Sequence, residues 1–210
     1  MPRKLDRMRL ARDLADAIRG AWEDLQDLAK GERLYSFCLE TDGEVRGVLS
    51  TANSEEGLDL AARRHAELNG CDFELSRRTL RWSPADWAYR EIATERFHAI
   101  NELLEELVGD QWDESSGWSG MRFWLSLVWR VVLPFGVERR VLSTLETVLR
   151  EFMNDRPFLR GSLIAFLIHS RSNQALVESA RSICGTAAAE RLRSELEDAH
   201  EPSTLPSRPT

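Results

Sequence analysis

The stretch Leu34-Tyr35-Ser36-Phe37-Cys38-Leu39-Glu40-Thr41-Asp42-Gly43-Glu44-Val45-Arg46-Gly47-Val48-Leu49-Ser50 decides the fold class. Two short β-prone runs flank Thr41-Asp42-Gly43, and Asp-Gly between such runs is the strongest short-range hairpin signal, because glycine accepts the left-handed backbone of a tight turn. Tyr35, Phe37 and Leu39 alternate onto one face of the first run, the face expected to be buried. Most of the remaining chain carries helical spacing, so the expected architecture is α+β: a small, mainly antiparallel sheet covered by several helices.

Upstream, Leu10, Leu14, Ile18, Ala21, Leu25 and Leu28 recur every three or four residues, which predicts an amphipathic helix from about Leu5 to Lys30, ended by Gly31. Downstream, Asn53 or Ser54 can cap a helix whose first turn holds Glu55 and Glu56, and Asn69-Gly70 stops it near Leu68. A third strand is expected over Arg78–Trp82. Ser83-Pro84-Ala85-Asp86 then reads as a helix start, with Ser83 as cap, Pro84 at the first helical position and Asp86 reaching back to the cap amide. Trp82 and Trp87 fall at the two positions that clasp each other in a hydrophobic staple.

The helix after this staple carries Tyr89, Ala93, Phe97, Ile100, Leu104 and Leu107 and stops near Gly109. A polar loop, Asp110–Gly120, precedes an aromatic helix with Phe123, Trp124, Leu127, Val128 and Val131, and a further helix runs from Val137 to Met153. Ser162–Ile168 is a continuous apolar run, the mark of a strand buried on both faces. The last helix spans Asn173 to Ala199, with Gly185 offering a break. Residues 1–200 are expected to form a single α+β domain and the Pro- and Ser-bearing residues 201–210 a disordered tail.

The chain has 210 residues, enough to bury a core without a disulfide or metal, and its 42% hydrophobic and 30% charged residues are those of a globular protein. Lys and Arg total 28 against 35 Asp and Glu, a net charge of −7. That balance argues against nucleic acid, which needs a concentrated basic face, and suits basic partners or plain solubility. Cys38, Cys71 and Cys184 are odd in number and far apart, so neither a disulfide framework nor a zinc site is suggested, and reduced, mostly buried thiols are expected. The opening Met-Pro-Arg-Lys-Leu-Asp lacks the apolar core of a signal peptide, so a cytoplasmic location is expected. Met121–Val137 comes nearest to a membrane span, but Arg122, Arg130 and Pro134 interrupt it, which makes it a buried helix with no membrane association.

No Walker loop, GxGxxG after a strand, GxSxG elbow or HExxH is present, so no cofactor, metal ligand or catalytic residue is assigned. His65, His98, His169 and His200 are scattered. His169 follows a buried strand, where ligands collect in α/β sheets, and reads either as a ligand-facing group or as a satisfied structural residue. Cys38 is a nucleophile only if His169 meets it in space; the other reading is a core thiol. Asp42, Glu44, Glu55 and Glu56 can gather at one end of the hairpin as a metal-binding or cationic-partner site, although helix-start preference and hairpin solubility explain the same residues. Asp42, Asn53, Glu55 and His169 would make a polar pocket. Trp112 and Trp118 lie in the polar loop and read either as exposed anchors for a protein partner or as core caps.

Three segments in order, Leu34 to Asp42, Ala52-Asn53-Ser54-Glu55-Glu56-Gly57-Leu58 and Arg81-Trp82-Ser83-Pro84-Ala85-Asp86-Trp87-Ala88-Tyr89, resemble the bacterial family of domain of unknown function 4303. The likeness covers about Leu5 to Leu107, with a looser fit to the final strand and helix. Its members look like companions of polymorphic toxin systems, so the resemblance implies a small acidic immunity protein that neutralises a basic toxin by binding it. The expected function is therefore a non-enzymatic protein-binding module, with Asp42, Asn53, Glu55, Glu56, Trp112, Trp118 and His169 as binding residues. The alternative is an enzyme or small-ligand binder with a polar pocket near the hairpin and the last strand.

Overall fold

The computed structural model describes residues 6–42, 45–109, 134–169 and 172–200. Helix α1, Arg7–Leu28, opens on Asp6, whose carboxylate accepts from the Met8 and Arg9 amides at 3.1 Å. Its stripe of Leu10, Leu14, Ile18 and Leu25 is fully buried, each side chain stabilising the fold by about 2 kcal/mol. Then come β1 (Leu34–Thr41), β2 (Val48–Ser54), α2 (Glu55–Asn69), α3 (Phe73–Leu80), β3 (Tyr89–Ile92) and α4 (Thr94–Gly109). The remaining elements are α5 (Pro134–Asn154), β4 (Ile164–Ile168), α6 (Asn173–Cys184) and α7 (Thr186–His200).

The four strands lie in the order β3-β2-β1-β4 between two layers of helices. Phe37, Leu39, Ala165 and Leu167 face α1, α4 and α5, where they meet Trp22, Phe97, Leu145 and Phe152. Tyr35, Cys38, Ile164 and Phe166 face the opposite layer, where Leu58 of α2 and Leu176, Ala180 and Leu192 of α6 and α7 complete a second core. β1 and β4 are thus covered on both sides, which explains why β4, Ile164–Ile168, reads as continuously apolar.

The sheet is mixed, which corrects the expectation of a mainly antiparallel one. β1 pairs with β2 antiparallel, as the hairpin signal requires, but with β4 parallel, Ser36 opposite Ile164 and Glu40 opposite Ile168. Parallel neighbours need a long crossover, and the chain between β2 and β4 supplies one through several helices.

Three local expectations also fail, each for a physical reason. The hairpin turn is wider than Asp-Gly: Thr41 pairs with Val48, and Asp42 closes the loop by accepting from Arg46 N at 2.8 Å while Val45, at φ 56°, folds into the core. Arg78–Trp82 is no strand. Asp72 caps α3 by accepting from Leu75 N at 3.0 Å, and the helix runs through Leu80. Ser83-Pro84-Ala85-Asp86 starts only one 3₁₀ turn, after which Tyr89–Ile92 joins the sheet edge and the helix begins at Thr94. Glu91 at φ 54° and Ala93 at φ 52° make that strand-to-helix switch, a backbone conformation no composition rule anticipates in these residues.

Gly70, left-handed at φ 63°, ends α2, and Gly185 at φ 96° separates α6 from α7. Among the described residues no helix is long and apolar enough to cross a membrane. The aromatic helix expected over Phe123–Val131, the loop bearing Trp112 and Trp118, Gly43 and Glu44 of the hairpin and the 201–210 tail lie outside the described residues.

Candidate functional site

Where β2 runs into α2, the three motif segments interlock. Ser54 caps α2, its hydroxyl accepting from Gly57 N at 2.9 Å and donating to Glu32. Asn53, 1% exposed, uses both halves of its amide: Nδ2 donates to Tyr35 OH at 2.9 Å, and Oδ1 accepts from Ala88 N at 3.2 Å and Ser54 N at 3.1 Å. Tyr35 OH passes its own proton to the Arg81 carbonyl at 2.7 Å, which also accepts from Trp87 Nε1 at 3.1 Å. Gly57 leaves room for this contact, since a Cβ there would lie 2.7 Å from that of Ala88 and 2.9 Å from Asn53 Oδ1.

The aromatic rings pack on the same joint. Tyr35 meets Trp82 edge-on at 5.4 Å, Trp82 meets Trp87 at 6.5 Å, and both indoles touch Phe166 at about 6 Å. Trp82 and Trp87 therefore clasp as the staple pattern implies, although what they bracket is a 3₁₀ turn. In this sheet strand β1 carries an irregularity between Leu34 and Ser36 that turns Tyr35 away from the face of Phe37 and Leu39. A bulge of this kind breaks simple alternation and is how Tyr35 reaches Asn53 and Arg81.

A charged groove of about 470 Å³ opens beside this joint, lined by Arg33, Glu55, Arg77, Arg78, Arg81, Glu195 and Asp198. Arg81 is its centre. Its Nη1 and Nη2 donate to Glu55 at 2.9 and 2.8 Å, its Nε donates to Glu195 at 2.6 Å, and its guanidinium lies 4.3 Å from the Tyr35 ring centre. Arg77 adds Glu55 at 2.5 Å and Asp59 at 2.6 Å. Burial pushes the Glu55 carboxyl up, but the Arg81 and Arg77 guanidiniums outweigh it and hold the group below its ordinary value. Burial works against the Arg81 cation too, yet Glu55 and Glu195 raise its pKa. Glu56 accepts from Arg33 N at 2.8 Å and Arg33 Nε at 2.9 Å, which takes its carboxyl from the ordinary 4.5 down to about 2. Tyr89, desolvated and donating to Glu32 at 2.7 Å, rises from 10 to about 12.

Of the residues singled out by sequence, Asn53, Glu55 and Glu56 meet at this joint. Asp42 and His169 lie at the other end of the sheet, roughly 20 Å away along β1. The pocket expected from Asp42, Asn53, Glu55 and His169 is therefore divided. Trp112 and Trp118 lie outside the described residues. At the His169 end, Glu40 Oε2, Thr41 Oγ1 and His169 Nδ1 are buried without a hydrogen-bond partner among the described residues. Cys38 is fully buried, which pushes its thiol up and makes it a core residue rather than a nucleophile. Sequence reading missed Arg77, Arg81, Glu32 and Glu195. Only Arg81 lay within a quoted motif, and the others pair across 18 residues or more, a separation that leaves no local pattern.

Among the described residues no group of three His, Cys, Asp or Glu is placed to hold a metal ion. The family model described as "Domain of unknown function (DUF4303)" matches residues 14–183. No curated protein and no solved structure matches the chain.

Proposed function

We propose that this chain, which belongs to the DUF4303 family, is a non-enzymatic protein-binding module of the toxin-neutralising, immunity kind, acting in the cytoplasm on a basic partner. The observation that carries this reading is the run Glu102–Glu114, which holds six carboxylates (Glu102, Glu105, Glu106, Asp110, Asp113 and Glu114) around Trp112 and no Lys or Arg. Glu102 and Glu105 are exposed on α4. An indole flanked in sequence by carboxylates suits a cationic surface, since the aromatic supplies contact area and the charges supply steering. The interlocked motif supports the same reading: Tyr35, Asn53, Glu55, Glu56 and Arg81 are engaged with one another, which makes them architecture and leaves recognition to other surfaces.

The test is co-expression with the product of each neighbouring gene, scored for growth rescue and co-purification. One toxic, basic neighbour should be neutralised and travel with the chain, and Trp112→Ala or Glu105→Lys should weaken both. If every neighbour is harmless and nothing co-purifies, the reading fails.

A second reading, small-ligand binding at the opposite end of the sheet, is favoured by the unpartnered Thr41, Glu40 and His169 atoms where β1 and β4 end side by side. A metabolite screen by thermal shift, repeated on His169→Ala, tests it. A stabilising compound whose effect vanishes in the variant would support a ligand site there.

A further inference from the structure

The turn between α2 and α3 gathers three side chains outside the joint described above. His65 lies near the end of α2, Cys71 follows the left-handed Gly70, and Ser76 sits one turn into α3. Their reactive atoms converge: Cys71 Sγ is 3.1 Å from Ser76 Oγ and 3.6 Å from His65 Nδ1, and Nδ1 is 3.1 Å from the same hydroxyl. Ser76 is 1% exposed and held by the Asp72 carbonyl at 3.0 Å, whereas His65 and Cys71 are partly open to solvent. The backbone holds the thiol in place as well, with Cys71 N donating to Ala66 O at 3.2 Å and Arg77 clamping α3 onto Asp59 of α2.

We propose that Cys71 is the nucleophilic thiol of this protein, with His65 as the base that takes its proton, and that the turn exchanges with low-molecular-weight disulfides. With the neutral ring protonated at Nε2, Nδ1 faces both partners and is free to accept. The thiol proton reaches it directly across the 3.6 Å between Sγ and Nδ1, the Ser76 hydroxyl being committed to the Asp72 carbonyl. Sγ attacks one sulfur of the small disulfide, the bond to Cys71 forms as the original S–S bond breaks, and the departing thiolate takes the proton from the imidazolium to leave as a thiol. The other two cysteines are closed to this chemistry. Cys38 is fully buried, and Cys184 is engaged with the Ala165 backbone, with burial pushing both thiols up. This assignment goes beyond partner binding and does not rest on it.

The experiment is mass mapping of the three cysteines after timed exposure of the full chain to oxidised glutathione, and separately to iodoacetamide, at neutral pH. Cys71 should react first, roughly tenfold or more faster than the same cysteine in urea-unfolded chain, a modest share of what a placed base supplies. His65→Gln should bring Cys71 down to the unfolded-chain rate while Cys38 stays protected, which reports that the fold stands. A folded-chain rate at Cys71 no higher than the unfolded one overturns the assignment, as does a folded His65→Gln chain that keeps the natural rate. Should that variant unfold, seen as Cys38 becoming reactive, the comparison of folded with unfolded natural chain decides alone.

Discussion

The two ends of the sheet treat most of their polar groups differently, Ser36 Oγ, buried opposite Asn53 and unpartnered among the described residues, being the exception at the first end. Where β2 enters α2, Asn53, Tyr35, Glu55, Arg81 and Glu195 are buried or half-buried, and each finds a partner in another segment. Where β1 and β4 finish side by side, Thr41 Oγ1, Glu40 Oε2 and His169 Nδ1 are equally shielded and unpartnered among the described residues. A satisfied network fixes geometry, and an unsatisfied one costs stability unless something else answers it. The family match spans both ends, since the Leu34 to Asp42 segment runs from the interlocked joint to Glu40 and Thr41.

Substitutions at the two ends should differ in sign as well as size. Arg81→Leu is expected to be the most damaging, costing about 3 kcal/mol, because it takes the guanidinium from Glu195 and leaves Glu55 with Arg77 alone. Urea unfolding measures it, and a loss near zero would mean that the network is decorative. Asn53→Ala should follow at about 2 kcal/mol, since it leaves the Ala88 amide and the Tyr35 hydroxyl short of a partner in the interior. Gly57→Ala should cost about 1–2 kcal/mol through the close approach to Ala88.

At the other end Thr41→Val should be neutral or stabilising by up to about 1 kcal/mol, because it removes a buried hydroxyl that has no partner among the described residues. Destabilisation of the size seen for Asn53→Ala would erase the contrast between the ends.

The smallest effect is on acid stability. Glu56 titrates near 2 in the folded chain against an ordinary 4.5, so its contribution is complete above 4.5 and is lost as pH falls from there towards 2. Glu55, also lowered, acts with the same sign. Glu56→Gln should flatten the stability profile in that window by lowering stability above pH 4.5 while leaving it unchanged near pH 2, as read from unfolding midpoints across the range.

Local rules served best where one residue decides the outcome. The α1 stripe, the Ser54 cap, the Gly70 stop and the doubly buried run at Ile164–Ile168 were all legible, because each follows from spacing or from a single backbone preference. Alternation placed Tyr35 with Phe37 and Leu39, and the irregularity beside Leu34 moved it to the other face. The Asp72 cap is a local signal, yet the sequence predicts a strand over Arg78–Trp82, because α3 is held by Arg77 bonds to Glu55 and Asp59 of another helix. At the candidate site, Asn53, Glu55 and Glu56 showed as a helix start, while what they bind did not: Tyr35 to Arg81 spans 46 residues and Arg81 to Glu195 spans 114. Long-range pairing of polar groups is set by tertiary arrangement and writes no periodicity into the chain.

The position of β4 beside β1 has a consequence for synthesis on the ribosome. β1 and β2 can pair as soon as they emerge, but the second edge of β1 waits until Ile168, 127 residues after Thr41 (168 − 41), has been made. At roughly 5–20 residues per second that interval is on the order of ten seconds. Throughout it the nascent chain displays an unpaired backbone edge along Ser36 to Glu40, the kind of surface chaperones cover and neighbouring chains can capture. The completed sheet gains its β4 edge last.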